Sequence, residues 1–76
     1  MPKIVNINKI ISDIRYWGLG LNEVPKVLRT KEVCFASVKI RGDELEYVPK
    51  SIITEKLCLI AVKQNGLSIE YVPKNL

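Results

Sequence analysis

The chain has 76 residues, which is enough for one small domain and too few for a large buried core. It contains two cysteines and no histidine, so it offers few ligands for zinc, and we expect neither a metal nor a cofactor. Twelve lysines and arginines against eight aspartates and glutamates give a net charge of +4, which by itself supports only non-specific attraction to acidic partners.

The chain repeats itself with a period of 24 residues. Residues 32–52 and 56–76 share nine of 21 aligned positions, and a weaker copy lies near 8–28. Three residue types mark the register: Gly18, Gly42 and Gly66; Pro25, Pro49 and Pro73; and Lys26, Lys50 and Lys74. A period of this length is typical of stacked repeat arrays. We therefore expect an all-α fold in a single domain (1–76), a short α-solenoid of three helix–turn–short-helix (α/3₁₀) repeats at about 6–29, 30–53 and 54–76.

Each copy is predicted to begin with a helix. Asn6, Thr30 and Thr54 precede the apolar-periodic stretches and are good N-caps, because their side-chain oxygens accept hydrogen bonds from the first turn. In the first copy, an i, i+3, i+4, i+7 face predicts a helix of about 11 residues. Its members are Ile7, Ile10, Ile11 and Ile14. We expect each helix to end at its glycine in the left-handed conformation.

The second element of each copy is short. Apolar i, i+3 pairs share one face of it: Leu21 and Val24, Leu45 and Val48, and Ile69 and Val72. Proline ends the element, since it lacks an N–H group and disfavours helix at the residue before it. The segments after proline are expected to form 3₁₀ turns whose apolar residues close the core. These residues are Leu28, Ile52 and Leu76.

With this pattern established, residues 61–76, AVKQNGLSIEYVPKNL, resemble the signature of a bacterial family of short helical repeats classed as a domain of unknown function. A typical unit of that family reads VLxAVKQNGxxLxYAxxxL, with leucine where this chain has Ile69. The second copy matches well, and the first matches only in its apolar skeleton, its glycine and its turn. The resemblance implies a build similar to leucine-rich-repeat variants, which stack α and 3₁₀ helices. It implies no activity and no catalytic residue.

Aromatic side chains give the strongest indication of function. Tyr16 and Trp17 end the first predicted helix, and Tyr47 and Tyr71 share one register position. Tryptophan and tyrosine are favoured anchors of interfaces. These residues therefore predict a non-enzymatic module that binds an unidentified protein, for example an effector or a mobile-element-encoded inhibitor that docks on a larger protein. Two alternatives stay open: the tyrosines cap the core with their hydroxyls in water, and Trp17 covers the core of the first repeat.

Two ladders of basic residues favour a different partner. One consists of Arg15, Lys39 and Lys63 near the ends of the first helices, and the other of Lys26, Lys50 and Lys74 after the prolines. In a stack, each ladder would place one cation in every layer and could follow a phosphate backbone, so nucleic acid is the alternative partner. The competing structural explanation is that cations near helix C-termini complement the helix dipole.

Catalysis is not expected from this sequence. It has no histidine and no P-loop, and its acidic cluster (Asp43, Glu44 and Glu46) lies at a helix start, where negative charge is simply stabilising. Cys34 and Cys58 occupy the same register position on successive helices, between core positions. We expect both to be buried core thiols, because cysteine in such places behaves as a small hydrophobic residue.

The chain shows no sign of export or membrane insertion. Lys9, Asp13 and Arg15 lie where a signal peptide would be apolar. No apolar run approaches the roughly 18 residues that span a membrane. A cytoplasmic location is expected, in a bacterium or in a host cell if the protein is an effector. Because no polar cap follows the third repeat, a homodimer through this C-terminal repeat is a further expectation.

Overall fold

The computed structural model describes residues 7–75 and consists of short helices. The α-helices are α1 (Ile7–Trp17), α2 (Lys31–Ile40) and α3 (Glu55–Gln64), and 3₁₀ helices lie at Leu21–Glu23, Lys26–Leu28, Gly42–Tyr47 and Gly66–Tyr71. The described part of the chain contains no strand, which confirms the predicted all-α class. The three α-helices begin 24 residues apart, and α1 has the predicted 11 residues.

Threonine side chains begin two of the α-helices, as the sequence predicts. The Thr30 hydroxyl accepts a hydrogen bond from the Val33 N–H at 3.4 Å, and the Thr54 hydroxyl accepts one from the Leu57 N–H at 3.2 Å. Each bond satisfies one of the N–H groups that the first helical turn leaves without a partner. The corresponding Asn6 lies outside the described residues.

The predicted helix ends are correct at the first glycine and wrong at the other two. Gly18 has a φ of +71°, the left-handed conformation that glycine adopts without steric cost. After α2 and α3 the chain instead becomes extended at Arg41 and Asn65, and Gly42 and Gly66 begin 3₁₀ helices without a positive φ. Position 42 requires glycine because neighbouring atoms lie close to it, and not because of its backbone conformation. A Cβ there would overlap the backbone carbonyl oxygen of Ala61 and come within 2.9 Å of a second neighbour, Ser68 Oγ.

The helices pack in chain order around one apolar core. α2 lies between α1 and α3, and the 3₁₀ helix Gly42–Tyr47 contacts both α2 and α3. The buried core consists of Ile14, Leu21, Val24, Val33, Cys34, Val38, Leu45, Val48, Leu57, Cys58 and Ala61. Leu28 and Ile52 pack against it after their prolines, as predicted, whereas Leu76 lies outside the described residues. No helix within residues 7–75 combines the length and the apolar character that crossing a membrane requires.

A glutamine links the third α-helix to the end of the second. The Gln64 side-chain amide donates to the Ile40 carbonyl at 2.6 Å and accepts from the Gly42 N–H at 2.6 Å. These two backbone groups lie where the chain leaves α2 and have no further helical turn to bond with. A side chain from α3 therefore completes the end of α2.

Candidate binding surfaces

Two aromatic residues project from the last turn of α1. Tyr16 is 75% exposed and Trp17 is 82% exposed, and the neighbouring Arg15 is exposed as well. We call Tyr16 and Trp17 the aromatic edge. An indole with this exposure does not cover the core of the first repeat, so the covering alternative for Trp17 is wrong.

The loop that follows the aromatic edge is held by the second repeat. The Arg41 guanidinium donates to the carbonyls of Gly18 at 3.1 Å and Leu19 at 3.3 Å. The Leu19 N–H in turn donates to the Asp13 carbonyl inside α1 at 3.1 Å. Trp17 is therefore presented at the end of a helix whose exit is hydrogen-bonded on both sides.

A buried carboxylate completes this attachment. Glu44 is 7% exposed and accepts hydrogen bonds from the Leu21 N–H at 2.7 Å and the Ser37 hydroxyl at 3.4 Å. The same oxygen lies 4.0 Å from the Arg41 guanidinium. Hydrogen bonds to a charged acceptor are the stronger kind. Glu44 lies in the first turn of the 3₁₀ helix Gly42–Tyr47, as predicted, and its carboxylate also ties the segment at Leu21 to α2.

Comparison of equivalent positions in the three copies did not indicate the role of Glu44. Its register mates are Gly20 and Ser68, and those of Arg41 are Trp17 and Asn65, so neither residue belongs to a repeated column. A charged residue that appears once in an otherwise repeated frame is the signal that could have identified this contact.

Two neighbouring grooves lie on the side of the molecule formed by the segments after the 3₁₀ helices. The first has a volume of about 540 Å³, and the second about 760 Å³. The first is lined by Lys26, Val27, Arg29, Glu46, Tyr47, Val48, Pro49 and Lys50. The second is lined by Leu45, Glu46, Val48, Lys50, Ile53, Tyr71, Pro73, Lys74 and Asn75. Each groove thus combines one tyrosine and one proline with two successive lysines.

The grooves bring together two sets of residues that sequence reasoning assigned to different partners. Tyr47 and Tyr71 were assigned to protein binding, and the ladder of Lys26, Lys50 and Lys74 to nucleic acid. Neither groove is lined by Tyr16 or Trp17, so the four aromatic residues form two separate surfaces. Tyr47 and Tyr71 are half-buried and pack against the core, in agreement with the capping alternative for them.

The groove tyrosines carry neutral hydroxyls at physiological pH. The negative charge of Glu46 raises the pKa of Tyr47. A hydrogen bond to Glu70 raises the pKa of Tyr71 to about 12, because the phenol donates to the carboxylate. Both groups therefore remain hydrogen-bonding phenols and do not add negative charge to the grooves.

The guanidinium of Arg29 has a structural part in the first groove. It donates to the Val24 carbonyl at 2.9 Å through Nε and to the Tyr47 carbonyl at 2.9 Å through Nη1. Its charge therefore lies against the backbone of two successive repeats, while Lys26, Lys50 and Lys74 are exposed.

The second ladder of basic residues lies elsewhere. Arg15, Lys39 and Lys63 are exposed in the last turns of α1, α2 and α3. In this position their charges complement the negative ends of the helix dipoles, whatever else they bind. None of the three is among the residues that line the two grooves.

Both cysteines are free and buried, as predicted. Burial raises the pKa of Cys34 to about 11, and it also raises the pKa of Cys58. The thiolate is the nucleophilic and metal-binding form of cysteine, so both residues are core thiols. The described residues hold no group of three or more cysteine, aspartate and glutamate side chains arranged for a metal ion.

The comparison with protein families gives one match. The model described as Domain of unknown function (DUF4116) covers residues 30–76, well over half of the chain. The chain belongs to this family. Neither the curated proteins nor the solved structures give a match.

The residues matched by the DUF4116 model include some of the candidate surfaces and exclude others. The match includes Tyr47 and every residue that lines the second groove, among them Lys50, Tyr71 and Lys74. It begins after the aromatic edge and after Lys26. The aromatic edge is thus a feature of the divergent first copy, outside the part of the chain that the DUF4116 model describes.

Proposed function

We propose that this chain is a short solenoid of three 24-residue repeats that acts as a non-enzymatic protein-binding module. Equal spacing of the α-helices, and a 3₁₀ helix after each of them, support the repeat array. Three hydrogen bonds support a rigid stack: Arg41 donates to the Gly18 carbonyl, Glu44 accepts from the Leu21 N–H, and Gln64 donates to the Ile40 carbonyl. A rigid surface loses little conformational entropy when it binds.

The observation that carries the proposal is the exposure of Trp17. A tryptophan side chain offers a large contact area, and burying it in a partner's pocket yields more free energy than burying most other residues. In this chain the indole is 82% exposed and stands beside an exposed Tyr16. An arrangement that leaves both rings in water is costly unless another molecule covers them.

The proposal is tested by affinity capture of the tagged protein from a lysate of its source cells after nuclease treatment. The affinity of the Trp17→Ala variant for the captured partner should be about 30-fold lower than that of wild type. This factor corresponds to the roughly 2 kcal/mol of binding free energy that an interface anchor contributes. Leu67→Ala is the matched control, because Leu67 is 79% exposed and lies in the third repeat. Equal binding by Trp17→Ala, wild type and Leu67→Ala would contradict the proposed role of the aromatic edge.

The alternative function, association with nucleic acid, is favoured by one observation. Lys26, Lys50 and Lys74 line two adjoining grooves, with one further lysine added at each repeat. Phosphate contacts of this kind give an affinity that falls steeply with salt. Replacing all three lysines by glutamate should abolish binding to single-stranded RNA or DNA, while Trp17→Ala should leave it intact. Absence of any nucleic-acid binding by wild type at low salt would exclude this alternative.

A further inference from the structure

An apolar surface covers the outer side of α3 and the last 3₁₀ helix. We call it the end face, and it consists of Cys58, Leu59, Val62, Ile69 and Val72. Leu59 is 54% exposed and Ile69 is 66% exposed. Together with Glu55 these residues enclose a shallow hollow of about 200 Å³. The end face is therefore an apolar surface with a depression wide enough to receive an apolar side chain.

The same five positions are covered in the middle repeat. The register mates of the end face are Cys34, Phe35, Val38, Leu45 and Val48. Four of them are at most 5% exposed, and Phe35 is half-buried. They are covered because the third repeat packs against them. The end face thus has the chemistry of a contact between repeats, and the other described elements leave it uncovered.

Among the described residues, the outer side of α1 at the opposite end of the array is polar. In the third repeat the side that faces the second includes Ala61, whose carbonyl lies against Gly42, and Leu57, which is fully buried. The register mates of these residues in the first copy are Asp13 and Lys9, which form an ion pair of 3.4 Å across the outer side of α1. Placing that pair against the end face of another molecule would bury two charged groups in an apolar contact, which is unfavourable. A head-to-tail arrangement of copies is therefore disfavoured.

We propose that the end face binds the end face of a second copy of this chain, tail to tail. This arrangement covers apolar surface with apolar surface and leaves the Lys9–Asp13 ion pair of each copy in water. The contact is isologous and closes at two molecules. In it, the projecting Leu59 of each copy can enter the hollow of the other. The two shorter dimensions of the molecule are 24 and 17 Å. One end therefore offers less than the roughly 800 Å² per partner of a standard interface, and the dimer is weak.

The proposal is tested by sedimentation equilibrium of the 76-residue chain between about 10 µM and about 1 mM, the range expected for a small interface. We expect a reversible monomer–dimer equilibrium. The double substitution Leu59→Glu and Ile69→Glu should give monomer throughout. Both side chains are more than half exposed, so unchanged circular dichroism and thermal unfolding should show that the variant folds. Leu67→Glu is the control for Ile69→Glu alone, because each introduces one negative charge at an exposed apolar residue of the same 3₁₀ helix, and Leu67 lies outside the hollow.

Three results would overturn the proposal. Wild type could remain monomeric at the highest concentration, the double substitution could leave dimerisation unchanged, or species larger than dimers could form, as a head-to-tail arrangement requires. The test does not depend on the proposed function, because the end face shares no residue with the aromatic edge or with the basic ladders.

Discussion

Gly42 begins a 3₁₀ helix against which the backbone of α3 lies. The space for a Cβ atom at this position is already taken by the Ala61 carbonyl and the Ser68 hydroxyl. Gly66, its register mate, has no atom within 4 Å of an added Cβ, because no further described repeat packs on it. The same residue type therefore has a packing role in one copy and none in the next.

Substituting these two glycines separates the two situations. Gly42→Ala should lower the free energy of unfolding by about 1–3 kcal/mol, because backbone atoms must move to admit the methyl group. Gly66→Ala should be neutral or stabilising by up to about 1 kcal/mol, since alanine restricts the unfolded chain more than glycine does. Urea denaturation followed by circular dichroism measures both changes. Equal effects of the two substitutions would show that α3 does not approach position 42 as described.

The burial of Cys34 predicts a pH dependence of stability. Its pKa is about 11 in the folded protein, and the ordinary value is 9.0. The unfolded chain therefore loses the thiol proton first, and the free energy of unfolding should fall as the pH rises from about 9 to about 11. Cys34→Ala should lack this contribution, on the order of 2 kcal/mol. The pKa values of Tyr47, Tyr71 and Cys58 are also raised, but these groups are present in both proteins and cancel in the comparison. Urea denaturation of wild type and Cys34→Ala at pH 8 and pH 11 therefore measures the contribution of the Cys34 thiol. An equal fall in the free energy of unfolding of both proteins would contradict the raised pKa of Cys34.

At the scale of elements, Glu44 joins the segment at Leu21 to the helices that follow it. Glu44→Ala would leave the buried Leu21 N–H and the Ser37 hydroxyl without their acceptor. We expect the free energy of unfolding to fall by about 2–3 kcal/mol, because buried donors that lose a charged acceptor stay without a hydrogen bond. Glu46→Ala, an exposed carboxylate on the same 3₁₀ helix, should change stability by less than about 0.5 kcal/mol. A loss at Glu44 no larger than that at Glu46 would contradict the buried hydrogen bonds.

The elements that sequence predicts well are those determined by local chemistry. The Thr30 and Thr54 caps and the ends imposed by proline depend on neighbouring residues alone, and the structure confirms them. The end of α2 depends instead on packing, because α3 supplies the Ala61 carbonyl and the Gln64 amide. A local rule for glycine at helix ends therefore failed at Gly42, where a long-range contact decides the conformation.

For the candidate surfaces too, features of a single copy could be predicted from the sequence, and features that depend on contacts between copies could not. The sequence left two interpretations of Trp17 open, an exposed interface anchor or a cover over the core of the first copy, and the polar side chains of its register mates Arg41 and Asn65 favour the exposed one. That Tyr47 would share a groove with Lys26 could not be predicted, because the two residues come from different copies and meet only when the copies stack. The role of Arg41 in holding the loop before Leu21 could not be predicted either, because its acceptors are backbone carbonyls 22 and 23 residues earlier in the chain.

At the scale of the whole molecule, three surfaces lie on different parts of the helical array. The aromatic edge belongs to the first copy, the two grooves lie along successive copies, and the end face belongs to the third. Since distant sites without shared partners act additively, Trp17→Ala should not change dimerisation. The Leu59→Glu and Ile69→Glu double variant should likewise keep the intrinsic affinity of each monomer for the captured protein. Binding titrations and sedimentation of the two variants measure this, and a loss of both properties in either variant would show that the surfaces are coupled.

The central claim is that Trp17 lies free in water until a partner protein covers it. Trp17 is the single tryptophan of the chain, so its fluorescence reports on this residue alone. The most direct measurement is quenching of that fluorescence by acrylamide in the free protein and in the captured complex. In the free protein, we predict that acrylamide quenches the Trp17 emission as readily as that of an indole derivative free in water. In the complex, we predict that the emission shifts to shorter wavelength and is protected from acrylamide. Protected emission in the free protein, or equal quenching with and without the partner, would contradict the account.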